Sequence, residues 1–437
     1  MYSKIDREIV NYLNNLVNSK DDYLDFKGIS MDYSTHKYHD YPATMIPKLP
    51  DLFINAVQSS VDIHNVYDPF MGSGTTLVEA TRHDLNSTGV DLNPLAVLMS
   101  RVKNRVLNQK KLEKYRNEIY KLYSNNKEDY VKGKLTLKLP TFKKIDYWFK
   151  DYVILDLQIL RSAIFSIHEE EYREFFLIPF SSTVRYVSNT RNGEFKMYRM
   201  APKSLEKWHP DVFSKFKELA DKNVYLNSLL SKHEVQANAL LGSSKSLPNI
   251  NSNSFDLLIT SPPYGDSRTT VAYGQFSRTS LQWLDLDVEP ADEVPKLDRK
   301  LLGGKVVKDN STVLPSVTLN ETLKEIGEQD EKRAREVKQF YDDLFVVLKE
   351  CKRVMKPGSY QFWVTANRTV KGIQIPTDKI ITELFESINV IKLASYTRNI
   401  PNKRMPAKNS PTNKKGKTNS TMKQENIVLY KTLKNNE

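Results

Sequence analysis

The chain is expected to fold as an α/β protein, a mixed and mostly parallel sheet with helices on both faces, and three segments predict this. A short strand ending at Asp68 turns through Gly72-Ser73-Gly74 into a helical pattern that carries Leu77, Val78 and Ala80. A second strand, 87–91, ends in an acid, Asp91, which is where a nucleotide fold places the residue that takes ribose hydroxyls. Residues 255–259 form a short, mostly apolar run that reads as a strand buried on both faces, as in a parallel sheet.

In the first segment, NVYDPFMGSGTTLVEATRHDLNSTGVD, two close glycines let the backbone approach a ligand without interference from a Cβ. Thr75 and Thr76 follow at a helix N-terminus, where amide groups are free to donate. The segment is not the dinucleotide fingerprint, because Leu77 stands where GxGxxG needs its third glycine. It is not a P-loop either, since no GKS or GKT is present.

The third strand runs into Thr260-Ser261-Pro262-Pro263-Tyr264. Adjacent prolines fix φ and remove two donors, so this loop is stiff and its carbonyls are free to accept. Tyr264 then offers an aromatic ring at the carboxyl end of the sheet, where such folds bind substrates.

The string DPFMGSGTT…GVDLNP followed by TSPPY resembles the amino-group DNA methyltransferases, the family that methylates N4 of cytosine or N6 of adenine. The resemblance implies the Rossmann-like class I fold that uses S-adenosylmethionine, with insertions forming a target-recognition region. It implies that Asp68, Phe70, Gly72, Ser73, Gly74, Thr75 and Thr76 surround the methyl donor and that Asp91 binds its ribose. Residues 36–57 resemble the stretch that precedes the glycine loop in some subgroups, which adds Tyr41, Pro42 and Ala43 to the donor wall. Relatives often carry an acid near the donor's adenine; Ser243 stands there in this chain, a weaker acceptor.

The catalytic group implied is Ser261, Pro262, Pro263 and Tyr264. An exocyclic amine is a poor nucleophile because its lone pair is delocalised into the ring. Acceptors at Ser261 Oγ and the Pro262 carbonyl would bond the amine hydrogens and turn the lone pair toward the methyl group. Tyr264 would stack on a base flipped out of the duplex. Geometry and electrostatics carry such a reaction, with no covalent intermediate. In this family SPPY usually accompanies N4-cytosine methylation and DPPY or NPPY N6-adenine, so Ser261 favours cytosine. Methylation at cytosine C5 would need a reactive thiolate. The single cysteine, Cys351, instead lies on the apolar stripe Val337, Phe340, Leu344, Leu348, Cys351, Met355 and reads as a core residue.

Farther along, Lys356-Pro357-Gly358 reads as a turn before a strand at 360–365. Residues 390–397 and 426–433 read as a terminal antiparallel pair. Between them, 398–424 is basic and polar, with no acid. It is expected to clamp the DNA backbone through Arg398, Lys403 and Arg404, which lie in a TRNIPNKR stretch also seen in similar enzymes. Residues 111–123 and 151–167 read as helices. The string SSTVRYVSNTRNGEFKMYRM mixes Arg185 and Arg191 with tyrosines, and reads either as a DNA-groove element or as a surface hairpin turning at Asn192-Gly193.

Three parts are therefore expected. Residues 30–104 hold the donor, 105–240 form a helical insertion and candidate target-recognition region, and 241–437 complete the catalytic domain, with a second insertion at 266–330 beside the base pocket. The chain of 437 residues has 65 Lys and Arg against 53 Asp and Glu, a net charge of +12 that suits a polyanionic partner. Mean hydropathy is −0.53 and no run of about 18 apolar residues occurs, which argues against a membrane span. The N-terminus has no apolar segment of a secretory signal, and one cysteine builds neither a disulfide framework nor a cysteine zinc site; a cytoplasmic setting is expected. His36 and His39 lack a third ligand, so no metal is expected. The expected partners are double-stranded DNA and a cognate restriction endonuclease. An N6-adenine DNA methyltransferase is the alternative, with an RNA methyltransferase or a DNA-binding protein on a decayed scaffold more remote; intact Gly72, Gly74, Asp91 and TSPPY argue against the last.

Overall fold

The computed structural model describes residues 2–30, 33–191, 196–266, 270–284, 286, 294–307, 312–400, 408–409, 419–420 and 424–434. Its centre is a seven-stranded sheet. Five strands, β1 (Asn65–Asp68), β2 (Asn86–Asp91), β3 (Ala237–Leu241), β4 (Phe255–Thr260) and β5 (Met355–Thr365), lie in the order β3-β2-β1-β4-β5 and run parallel. The strand Gln424–Thr432 follows β5 and pairs antiparallel with both β5 and the edge strand Val390–Asn399. The order reverses between β1 and β4, and the crevice at the carboxyl ends of strands at such a switch point is where open α/β sheets take ligands.

Alternation along the central strands explains why both faces are covered. Leu257 and Ile259 of β4 join Val66 and Phe362 in a core with the helices Lys4–Val17 and Lys48–Gln58; Phe53 stacks on Phe362 with centroids 4.2 Å apart. Leu258 faces the other way and packs with Tyr67, Trp363 and Val428 under the helices Glu331–Val354 and Thr377–Glu386. Cys351 is fully buried in that second core, as its place on the apolar stripe implied.

Residues 105–240 are mainly helical. Gln109–Val131, Asp151–Phe165, Glu170–Val187 and Val212–Ser228 pack around Leu112, Phe175, Phe180 and Phe216, in a cluster that also takes Leu95 of helix Pro94–Lys103 and Trp283 of helix Tyr273–Leu284. The helix expected at 111–123 lies within Gln109–Val131, and the one expected at 151–167 ends two residues earlier, at Phe165.

Three local expectations change. The string beginning at Ser181 is not a hairpin from its start: residues through Val187 finish a helix, and only the bridge Thr190–Arg199 shows the chain doubling back, while Asn192-Gly193 lies outside the described residues. Lys356-Pro357-Gly358 is not a turn before β5 but part of it. The register jumps there, Phe255 facing Met355 and Leu257 facing Tyr360, so the Pro-Gly pair is absorbed as a bulge with Gly358 at φ +85°. Finally, Ala237–Leu241, which crosses the expected division at 240, is an edge strand of the sheet. Among the described residues no helix is long and apolar enough to cross a membrane.

Candidate active site at the carboxyl ends of the parallel strands

β1 ends at Asp68, and this side chain locks two loops together. Its Oδ1 accepts from Phe70 N at 3.0 Å and from Thr260 Oγ1 at 2.7 Å, while Thr76 Oγ1 donates to Ile259 O at 3.3 Å. The glycine loop and the TSPPY loop are thus held to each other by the residue just before Ser261. Burial pushes the Asp68 carboxyl up to about 6.

Two glycines in the left-handed region make the turn, Gly72 at φ +48° and Gly74 at φ +82°. A Cβ on Gly74 would stand 2.8 Å from Ser100 Cβ, so the loop closes tightly on helix Pro94–Lys103. Asp91, at the end of β2, supports the loop from below: its Oδ2 accepts from Gly72 N at 3.0 Å and its Oδ1 from Asn93 N at 2.8 Å. Burial raises its carboxyl to about 6.

These elements line one cleft enclosing about 1080 Å³ of empty space, part of it open to solvent. Tyr41, Pro42 and Ala43 form one wall, and Asp68, Phe70, Gly72, Ser73 and Thr75 the floor. Asp91 and Ser243 stand on the β2 and β3 side, with Ser261 and Pro263 on the β4 side. Most of the residues expected at the donor therefore share a single cavity with Ser261 and Pro263, two of the four expected at the reacting base. Gly74 and Thr76 lie beneath the loop, and Pro262 is buried; none of the three lines the cleft. Tyr264 also sits off its wall. Its hydroxyl lies 3.2 Å from Ser261 Oγ and donates to Glu425 Oε1 at 2.9 Å.

Several contributors carry no motif. Tyr273 stacks on Tyr41 (centroids 5.9 Å apart, 26° between planes). Asn93 caps helix Pro94–Lys103 through its Oδ1 and donates from Nδ2 to Tyr41 Oη at 3.0 Å and Ser277 Oγ at 2.7 Å. Ser244 Oγ donates to Pro69 O. Val271, Leu297, Lys300 and Leu301, all in the second insertion, also line the cleft. An Asn after the strand-two acid was visible in DLNP; the others had no readable signal.

Arg185, Arg191 and Arg398 do not line this cleft. Arg185 stacks over the Phe276 ring at 4.2 Å, and desolvation lowers its guanidinium to about 10. Arg191 is exposed, 5.9 Å from the Tyr198 ring centre. Arg398, expected at a phosphate, is instead 3 % exposed: it pairs with Glu425 Oε2 at 2.7 Å and donates to Leu24 O at 3.0 Å. Its charge is neutralised within the protein. Lys403 and Arg404 lie outside the described residues. His36 bonds Glu79 and His39 bonds Ser181, so each ring is engaged by protein. Ligand-type atoms of Asp51, Glu79 and His83 lie within 4.8 Å of one another, but His83 pairs with Asp51 and Glu79 with His36 and Arg82.

The strand order and this cleft define a Rossmann-like class I methyltransferase fold. The DNA methylase family model matches residues 7–101. Type II methyltransferase M.MvaI of Kocuria varians is 46 % identical over 445 residues, covering 98 % of this chain and 97 % of that protein. Type II methyltransferase M.BsoBI of Geobacillus stearothermophilus is 24 % identical over 392 residues, 76 % of this chain and 74 % of that one. A solved SAM-dependent methyltransferase from Methanosarcina mazei superposes with a TM-score of only 0.30 at 9 % identity (86 % of this chain, 96 % of that one), too loosely to argue from. The chain belongs to the type II DNA methyltransferases of the N4/N6 amino-methylating family. Its cofactor is S-adenosylmethionine.

The residues present suit that donor. The glycine turn brings bare backbone to the cleft, Asp91 and Tyr41 both line it, and the buried Ser73 Oγ has no partner among the described residues.

Proposed function

We propose that the chain methylates the exocyclic N4 amine of cytosine in duplex DNA. The observation that carries this reading is that Ser261 opens onto the same cleft as the glycine loop and Asp91. Bound S-adenosylmethionine supplies an electrophilic methyl group on sulfonium. Phe70, Gly72, Ser73 and Thr75 cradle it, Asp91 accepts from the ribose hydroxyls, and Tyr41 to Ala43 close the outer wall. Gly74 and Thr76 act from beneath, by shaping the turn and tying it to β4.

The target base is flipped out of the duplex to reach the cleft. Ser261 Oγ and the Pro262 carbonyl accept from its two amine hydrogens, which localises the lone pair on nitrogen and aims it at the methyl carbon. Pro263 keeps this loop from relaxing, and Tyr264 turns its ring onto the base. The amine proton leaves after methyl transfer, through Ser261 or water. The helical module at 105–240 serves as target-recognition region, with 266–330 closing the cleft beside the base. A restriction endonuclease of the same specificity is the expected companion. Sequencing that distinguishes modified bases, on DNA from cells expressing the chain, tests the reading. N4-methylcytosine at one recognition sequence supports it, and N6-methyladenine overturns the choice of base.

A further inference from the structure

Six exposed cations, Lys296, Arg299, Lys300, Lys305, Lys332 and Arg335, line one concave surface next to the active-site cleft. They come from two elements, the second insertion and the first turns of helix Glu331–Val354. One acid, Glu336, shares the lining, and its carboxylate is paired with Arg333. Lys300 lines both this surface and the cleft, so the two are continuous.

The surface is built, not a chance gathering of long side chains. Gly303 N donates to Asp343 Oδ2 at 2.9 Å and Val307 N to Gln339 Oε1 at 3.0 Å, which tie the cationic segment to the helix. Leu302 is buried in the core with Phe340. A Cβ on Gly304 would stand 2.7 Å from the Arg299 carbonyl carbon, so the loop between them is tightly closed. Like charges gathered along one surface favour a polyanion over a neutral partner. Arg335 makes one exposed pair with Glu331 at 3.1 Å, weak enough to exchange for a phosphate.

We propose that this concavity holds successive backbone phosphates of the DNA strand next to the target base. A nucleic-acid strand presents a row of phosphates that cations arrayed along a wall of this kind neutralise in turn. The surface would position the duplex without reading sequence. The proposal rests on the reading above only for where the base enters.

The test is the salt dependence of binding to a labelled duplex by the variant Arg299→Gln/Lys305→Gln/Lys332→Gln, which spares Lys300 and the cleft. Each phosphate that the variant no longer neutralises should flatten the log K against log[salt] slope by about 0.9, so a decrease of roughly 2 to 3 is expected. Donor affinity, measured by calorimetry, should not change. A control with equal charge loss outside the cleft and both proposed DNA-facing segments, Lys4→Gln/Lys20→Gln/Lys379→Gln, should keep its slope. An unchanged slope in the first variant, or an equal loss in the control, overturns the proposal. So does loss of inorganic phosphate binding without any change in the duplex slope. An adenine product would overturn the cytosine reading while leaving this slope intact.

Discussion

Tyr264 Oη donates to Glu425 Oε1 at 2.9 Å, and Oε2 of the same carboxylate holds the buried Arg398 guanidinium at 2.7 Å. The catalytic loop is thereby tied to the strand Gln424–Thr432, far away in sequence. Burial raises the Tyr264 phenol well above its ordinary value, so it stays a neutral donor. On this account the ring holds the base and the hydroxyl only aims the ring.

Tyr264→Phe should then slow single-turnover methyl transfer about tenfold to a hundredfold, the worth of one hydrogen bond to a charged acceptor, about 1.5–3 kcal/mol. Tyr264→Ala should abolish transfer, with donor affinity kept in both. A Phe variant as inactive as the Ala variant would assign the chemistry to the hydroxyl.

Arg398→Ala should cost about 3 kcal/mol of stability in denaturant titration, because it leaves the Glu425 carboxylate without its opposite charge. The salt dependence of DNA binding should stay as in the wild type. A flatter slope with unchanged stability would return Arg398 to the DNA surface.

Asp91 sets a pH dependence. Burial raises its carboxyl from the ordinary 3.8 to about 6, so below that pH it carries a proton and loses acceptor capacity. Donor affinity should be full above about pH 6 and fall about tenfold per unit below it. The unliganded protein should show the opposite sign, losing stability as pH rises from about 4 to 6 and the buried carboxyl ionises. Calorimetry on Asp91→Asn should find weak donor binding with this acid limb removed. Asp68, also raised to about 6, remains in that variant and shows whether it contributes.

Gly74→Ala meets two obstacles, φ +82° and the approach to Ser100. It should destabilise the fold by about 1–3 kcal/mol and weaken the donor, as read by thermal melting with and without S-adenosylmethionine. Unaltered melting and affinity would mean that the turn adapts.

Central parts of this molecule were legible because local chemistry demands them. The glycine turn, the acid at Asp91 and the stiff TSPPY loop each need particular residue types at fixed spacing, and Cys351 sat on an apolar stripe. Parts set by tertiary packing were not. β3 is an edge strand of Ala-Asn-Ala-Leu-Leu with largely exposed side chains, so neither burial nor β-branching marks it. The helix Lys4–Val17 is anchored by Asp6, which takes bonds from Tyr360 at 2.7 Å and Lys431 at 2.8 Å, partners more than three hundred residues away. Arg398 looked like a phosphate ligand because its neighbours are basic; only the fold brings Glu425 and Leu24 to it.

Nucleoside mass spectrometry of duplex DNA treated with isotopically labelled S-adenosylmethionine tests the central claim most directly. The account predicts label in N4-methyldeoxycytidine with the wild type and none with Ser261→Ala, whose donor affinity should be intact. Label in N6-methyldeoxyadenosine, or undiminished transfer by Ser261→Ala, would contradict it.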